Sequence, residues 1–216
     1  MSRPPFARIA RWLLPAAILP LLAGCFGAAV VGVGAGALMI TDRRVTETYV
    51  ADEAIEIRAC NRIGEKFGDK VHVNCTSFNR MLLLTGEVPD AASRNEVEKV
   101  ASGAPNVKSI TNELQVSGVS SLGSRSNDAY VTSKVKARFI DYNQFTVNHV
   151  KVITEAGTVY LLGLVTQREG NAAVEIARTT SGVLKVVRVF ETISEEEARR
   201  LDRTDKNSQP AKAPVK

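Results

Sequence analysis

Histidine is almost missing from this chain: His72 and His149 are the only two in 216 residues. Cysteine is nearly as scarce, and its three copies make no Cys-x-x-Cys, just as the histidines make no His-x-x-x-His. Without such spacing a zinc site is not expected, and neither is any other cofactor. His72 falls on an outward position of a strand and His149 opens another, so both read as surface residues. Nor does a glycine-rich phosphate loop follow a strand, because the glycines at 27–36 precede the folded part. Nothing in the pattern assembles a nucleophile, a base and an orienting group, so an enzyme is not expected. Dense basic tracts are absent too, which argues against nucleic acid as a partner. What is left is ordinary globular composition, 44% hydrophobic and 24% charged.

The N-terminus is the exception. Arg3, Arg8 and Arg11 are followed by an uncharged stretch from Trp12 to Ala23, the basic and apolar regions of a secretory signal. It ends in Leu21-Leu22-Ala23-Gly24-Cys25, which resembles the bacterial lipobox. That resemblance implies cleavage before Cys25, diacylglycerol on its sulfur and usually a fatty acyl group such as palmitate on the new amine. One acyl chain anchors only marginally, at about 0.8 kcal/mol per buried methylene, whereas two or three hold a protein on a bilayer. A membrane-spanning helix is one alternative, since no charge appears between Trp12 and Thr41, but Pro15, Pro20 and four glycines from Gly27 to Gly36 interrupt it. A cleaved signal without lipid is the other. Phe26 is not the aspartate that retains such lipoproteins in the inner membrane, so the resemblance points to the outer membrane. Loss of the three signal arginines takes the net charge from +5 to +2. The boundaries expected are a signal at 1–24 and a lipidated cysteine with a flexible leash at 25–47.

The rest of the chain is a repeat. Gly86 in MLLLTGEVPD (81–90) matches Gly163 in TVYLLGLVTQ (158–167), Val88 matches Val165 and Val97 matches Val174. Each copy reads helix, strand, strand, helix, strand. Ile55, Ala59 and Ile63 recur every four residues and predict a helix over 50–67; Val131, Val135 and Phe139 do the same in the second copy. Alternation at Val71, Val73 and Cys75 predicts a strand. Consecutive apolar residues, Leu82-Leu83-Leu84 and Val159-Tyr160-Leu161-Leu162, require both faces of each second strand to avoid water. Helices cover one face, and the sister copy is the economical cover for the other. Residues 117–125 read as a linker, and 195–216 as a polar, largely disordered tail with some helix to about Leu201. Cys60 and Cys75 could close a small loop as a disulfide, worth about 3 kcal/mol in the chain-entropy model. Two buried free thiols are the alternative.

A repeated helix-strand-strand-helix-strand unit, with a strand ending Gly-x-Val before the second helix, resembles the BON domain. The stretches that carry this are TDRRV (41–45), FNRMLLLTGEVP (78–89), SNDAYVTSKVKARF (126–139) and VYLLGLVTQRE (159–169). The fold class implied is α+β: two tandem BON domains, at 48–116 and 126–194, each a small mixed three-stranded sheet with two helices on one face. Behind a lipobox, such a pair is similar to dual BON-domain lipoproteins of the outer membrane. That class implies a non-enzymatic protein facing the periplasm, supporting envelope integrity, enriched at the division septum, and binding anionic phospholipid through its second domain.

The residues add their own argument. Residues 42–117 carry a net charge of −2 and residues 118–194 a net of +3, so an anionic partner would select the second copy. There Tyr130, Lys134 and Arg138 recur every four residues beside the buried stripe, with Ser133 and Ala137 adjoining them. An aromatic body beside long cationic stems suits the headgroup layer, and each cation near an anionic surface adds about 1 kcal/mol. Vesicles of phosphatidylglycerol or cardiolipin are the expected partners. Read from the pattern alone, Lys134, Lys136 and Arg138 also fit an ordinary solvated helix face; the family resemblance favours lipid. Tyr130 stands where the class usually has tryptophan, so shallower insertion is expected. The rival function is a scaffold for outer-membrane barrel assembly or peptidoglycan-remodelling proteins, using exposed sheet faces.

Overall fold

The computed structural model describes residues 42–143 and 145–207. The signal, Cys25 and most of the leash therefore lie outside the described residues. Helix α1 (Thr46–Phe67) leads through a short 3-10 turn to β1 (His72–Phe78) and β2 (Met81–Val88). Next come α2 (Ala91–Ser102), β3 (Ser109–Asn112) and a two-residue β4 (Gln115–Val116). The second copy repeats the order as α3 (Leu122–Tyr142), β5 (Lys151–Glu155), β6 (Thr158–Val165), α4 (Gln167–Arg178) and β7 (Lys185–Thr192). Helix α5 (Glu195–Asn207) follows.

In each sheet the second strand is central. It is antiparallel to the first and parallel to the third, which gives the small mixed sheet of an α+β fold. Period two then separates the layers. Leu82, Leu84 and Val88 face α1 and α2, packing on Ile55, Ala59, Ile63 and Val97. Val159, Leu161 and Val165 face α3 and α4, packing on Val131, Val135 and Phe139. The intervening residues point the other way. Leu83 of the first copy and Tyr160, Leu162 and Leu164 of the second meet, with Phe78 and Val189, in a third buried cluster. The sister copies thus cover each other's bare sheet faces, and burial pushes the Tyr160 hydroxyl up to about 12.

Both hairpin turns are pinned the same way. Asn79-Arg80 and Ala156-Gly157 all have positive φ, as a tight two-residue hairpin turn demands. Asp52 in α1 accepts from Asn79 N–H and Arg80 N–H, at 2.8 and 2.7 Å, and from the Ser77 hydroxyl. Asp128 in α3 accepts from Ala156 N–H and Gly157 N–H, each at 2.9 Å. A buried carboxylate on the first helix therefore holds the first hairpin of both domains.

Four regions differ from the sequence reading, the first being the linker expected at 117–125, whose residues from Leu122 on already belong to α3, capped by Ser121. Helix α1 begins at Thr46 rather than 50, and the expected leash is already tied down before it, with Asp42 and Arg43 buried. The polar tail is helical over Glu195–Asn207, because Ala198 is buried at 3% exposure and Asp202 joins a charge network. His149 is no surface residue, at 6% exposure, and His72 is only partly exposed. Strand alternation starts after His149, in a 3-10 turn (Val147–His149), so the period used to place it outward does not apply there.

Candidate functional site

Helix α3 presents the residues expected to meet lipid. Its buried stripe (Val131, Val135, Phe139) fixes the helix on the sheet and leaves Tyr130 outside, 63% exposed. The Lys134 ammonium lies 5.3 Å from the centre of the Tyr130 ring, a cation–π contact, and also donates to the Ser181 carbonyl. Ser133 is exposed with its hydroxyl on the Ala129 carbonyl, and Ala137 is exposed beside it. Arg138 is not part of that open surface. Its guanidinium turns to the end of α4, donating to Ile176 O at 2.8 Å, Thr179 Oγ1 at 3.0 Å and Thr180 Oγ1 at 2.8 Å. A cation there satisfies the last carbonyls of the helix and complements its dipole.

A second segment completes the patch. The turn after α4 passes through Gly182, at φ +96°, and sits directly against the middle of α3: a Cβ on Gly182 would lie 3.0 Å from Val131 Cγ2. It carries Leu184, 82% exposed, and the exposed Lys185. Leu184 rests its side chain over the hairpin glycine Gly157 and nothing else covers it among the described residues. Lys134 ties α3 to this turn through the Ser181 carbonyl, and Tyr130 on the helix and Leu184 and Lys185 after the turn are exposed. Leu184 was legible only as the first residue of a strand, because an apolar residue there looks like the start of the β7 pattern; the strand begins one residue later.

At another site the entry to the fold is clamped. Arg43 donates to Glu169 at 2.7 and 3.0 Å, to Asp202 at 2.8 and 3.2 Å, and to Leu164 O at 2.9 Å. Glu169 also closes a capping box with Thr166 at the start of α4. Burial alone would raise the Glu169 carboxyl, but Arg43 and the Thr166 N–H hold it below the usual carboxylate range. His149 lies beside them, 3.7 Å from Asp202, with its Nδ1 buried and unpartnered. Burial and the neighbouring Arg43 push its imidazole down. Arg44 pairs with Asp42 and Asp52 and lies 4.1 Å over the Phe78 ring. An open cleft of about 560 Å³ between α3 and this network is lined by Ile140, Phe145, Arg168, Glu169 and Asp202.

The remaining sequence candidates fall elsewhere. Cys60 and Cys75 come together across α1 and β1, Cα atoms 5.9 Å apart and sulfurs within bonding distance. His72, Glu87 and Glu155 each bring a metal-ligating atom to within 4.8 Å of the others. Spacing rules could not find this group, because its members sit on three strands of two domains.

This arrangement defines a class: two αββαβ units packed sheet to sheet. The BON domain family matches residues 51–118 and 127–193, and the chain belongs to that family. More particularly, it is 37% identical over 171 residues to Outer membrane lipoprotein DolP of Haemophilus influenzae, spanning 78% of this chain and 89% of that protein. It is also 30% identical over 151 residues to a 21 kDa hemolysin of Actinobacillus pleuropneumoniae, across 69% and 78% of the two chains. Osmotically-inducible protein Y of Escherichia coli matches at 32% over 117 residues, 53% of this chain and 58% of that one.

Proposed function

We propose that this protein is a lipid-anchored, non-enzymatic component of the outer membrane, facing the periplasm, whose second BON domain binds anionic phospholipid. Its role is to support outer-membrane integrity, at the division septum. Cys25 is the lipidated residue, and the likeness to an outer-membrane lipoprotein supports that anchor. No helix among the described residues is long and apolar enough to cross a membrane.

The observation that carries the lipid reading is the exposure of Tyr130 and Leu184 beside Lys134 and Lys185 in the domain of net positive charge. An exposed tyrosine and leucine on a folded domain are stabilised when they enter the headgroup layer, and the two cations meet lipid phosphates there. Such a surface alone binds modestly and in a salt-sensitive way. The lipid anchor raises the effective concentration and makes modest binding sufficient. Ser133 and Ala137 border this contact, whereas Arg138 supports it from behind by holding α4.

Vesicle co-sedimentation tests this reading. Residues 42–216 should bind vesicles containing phosphatidylglycerol or cardiolipin, less at high salt and little on neutral vesicles. Tyr130→Glu and Lys134→Glu should each lose binding with unchanged circular dichroism. Unchanged binding in both variants would remove α3 from the contact. The scaffold alternative loses its expected surface, because the sheet faces it would use are buried against each other.

A further inference from the structure

The two BON domains meet at a pair of buried carboxylates, Glu87 and Glu155, that make no ion pair with a lysine or arginine among the described residues. His72 opens β1 and stands directly opposite Glu87 on β2, so both side chains project from one face of the first sheet. Its Nδ1 is 2.8 Å from Glu87 Oε2. Glu155, at the end of β5, reaches the same point from the second domain. Glu87 and Glu155 are 4% and 5% exposed. Glu87 accepts from His72 and from Ser120 N–H; Glu155 accepts from Asn74 Nδ2 at 2.6 Å and from the Thr85 hydroxyl. Among the described residues neither carboxylate is ion-paired with a lysine or arginine, so two buried carboxylates face one imidazole.

We infer that His72, Glu87 and Glu155 form a binding site for a divalent transition-metal ion, of which zinc is the type case, bridging the two domains. One imidazole and two carboxylates are a donor set for zinc or its first-row neighbours; calcium and magnesium prefer oxygen alone. A +2 ion cancels the two buried charges. The three ligand atoms lie within 4.8 Å of one another. Two atoms that both sit about 2.1 Å from one ion at the tetrahedral angle are about 3.4 Å apart, so the widest pair closes by about 1.4 Å on binding. Asn74, Thr85 and Ser120 N–H already orient the carboxylates, as outer partners do in metal sites.

Access and chemistry agree. A cleft of about 600 Å³, lined by His72, Asn74, Asp128, Thr154 and Glu155, reaches two of the three ligands and gives room for the waters that complete coordination. Arg125 and Lys136 also line the cleft, but Arg125 is turned to Ser120 and Lys136 is exposed. His72 would turn the Nδ1 lone pair to the ion in the neutral tautomer that carries its proton on Nε2. Asp128 takes no part, since it is engaged by the Ala156-Gly157 turn. The ion would lock one domain to the other.

The test is a calorimetric titration of zinc chloride into the detergent-solubilised, metal-stripped full chain at neutral pH. One saturable site per chain is expected, with a raised unfolding midpoint in zinc and no equivalent response to magnesium. Glu155→Gln and His72→Asn should each weaken binding at least tenfold, and His149→Asn should leave it unchanged. His72 is partly exposed, so His72→Asn decides the matter even if Glu155→Gln folds poorly. Absence of a saturable site overturns the inference, as does undiminished binding in His72→Asn or dependence on His149 instead.

Discussion

Arg43 and Glu169 are 126 positions apart in sequence and joined by two hydrogen bonds, 2.7 and 3.0 Å, with side chains 2% and 7% exposed. Asp202 takes a second edge of the same guanidinium from the C-terminal helix. One planar fork thus ties the residue where the leash enters the fold to the second domain and to α5. Removing Arg43 leaves Glu169 buried without its cation. Arg43→Ala should therefore destabilise the protein by about 3–5 kcal/mol, read from urea unfolding. Arg43→Lys keeps the charge but not the fork and should fall between. A loss below about 1 kcal/mol in Arg43→Ala would show that water reaches Glu169 and replaces the pair.

His149 beside this clamp makes stability depend on pH. Its folded-state pKa is depressed, by burial first and by Arg43 second, so the unfolded chain takes up the proton more readily. The stability that His149 contributes is complete above its unfolded value near 6.5 and is lost as pH falls through the folded value. Urea midpoints measured from pH 7.5 down to 5 should decline in the native sequence. His149→Gln should flatten the upper part of that decline, and identical slopes in the two proteins would rule out His149 as the cause.

What was legible in the sequence was what short-range period encodes. The i, i+4 stripe of Ile55, Ala59 and Ile63 gave α1, and the unbroken run Leu82-Leu83-Leu84 required a cover on both faces, which the sister sheet supplies. Arg43, Asp52, Asp128 and His149 were not legible. Apart from the Asp52–Arg44 pair, their partners lie from 20 to 159 positions away, and a charged residue near a helix start looks the same whether it meets water or a buried carboxylate. The cationic stripe on α3 was half legible. Spacing placed Tyr130, Lys134 and Arg138 on one side, but only the packed α4 end shows that Arg138 has a structural partner.

Cys60 and Cys75 lie fifteen residues apart across α1 and β1. Closing that loop stabilises the native state by about 3 kcal/mol in the chain-entropy model. Reduction should therefore lower the urea midpoint of the native sequence. The double variant Cys60→Ala with Cys75→Ala should match the reduced protein and be indifferent to reductant. Equal midpoints with and without reductant in the native sequence would mean that the thiols are unlinked in solution.

The two repeat-matched glycines earn their positions by contact. A Cβ on Gly86 would lie 2.1 Å from the His72 carbonyl oxygen, and one on Gly163 would lie 2.3 Å from that of His149. The histidines are matched by the same repeat, so in each domain the central strand passes its neighbour too closely for any side chain. Gly86 also has φ +115°, which L side chains rarely adopt. The obstacle in both cases is backbone, which cannot swing aside. Gly163→Ala should therefore cost several kcal/mol, at the upper end of the about 1–3 kcal/mol typical of overpacking or beyond it. Gly64, in the interior of α1 with nothing within 4 Å of its Cβ position, is the internal control. Gly64→Ala should stabilise by up to about 1 kcal/mol, since alanine restricts the unfolded chain and favours helix. Thermal unfolding of the two variants should move in opposite directions; a neutral Gly163→Ala would mean that the strands separate at that crossing.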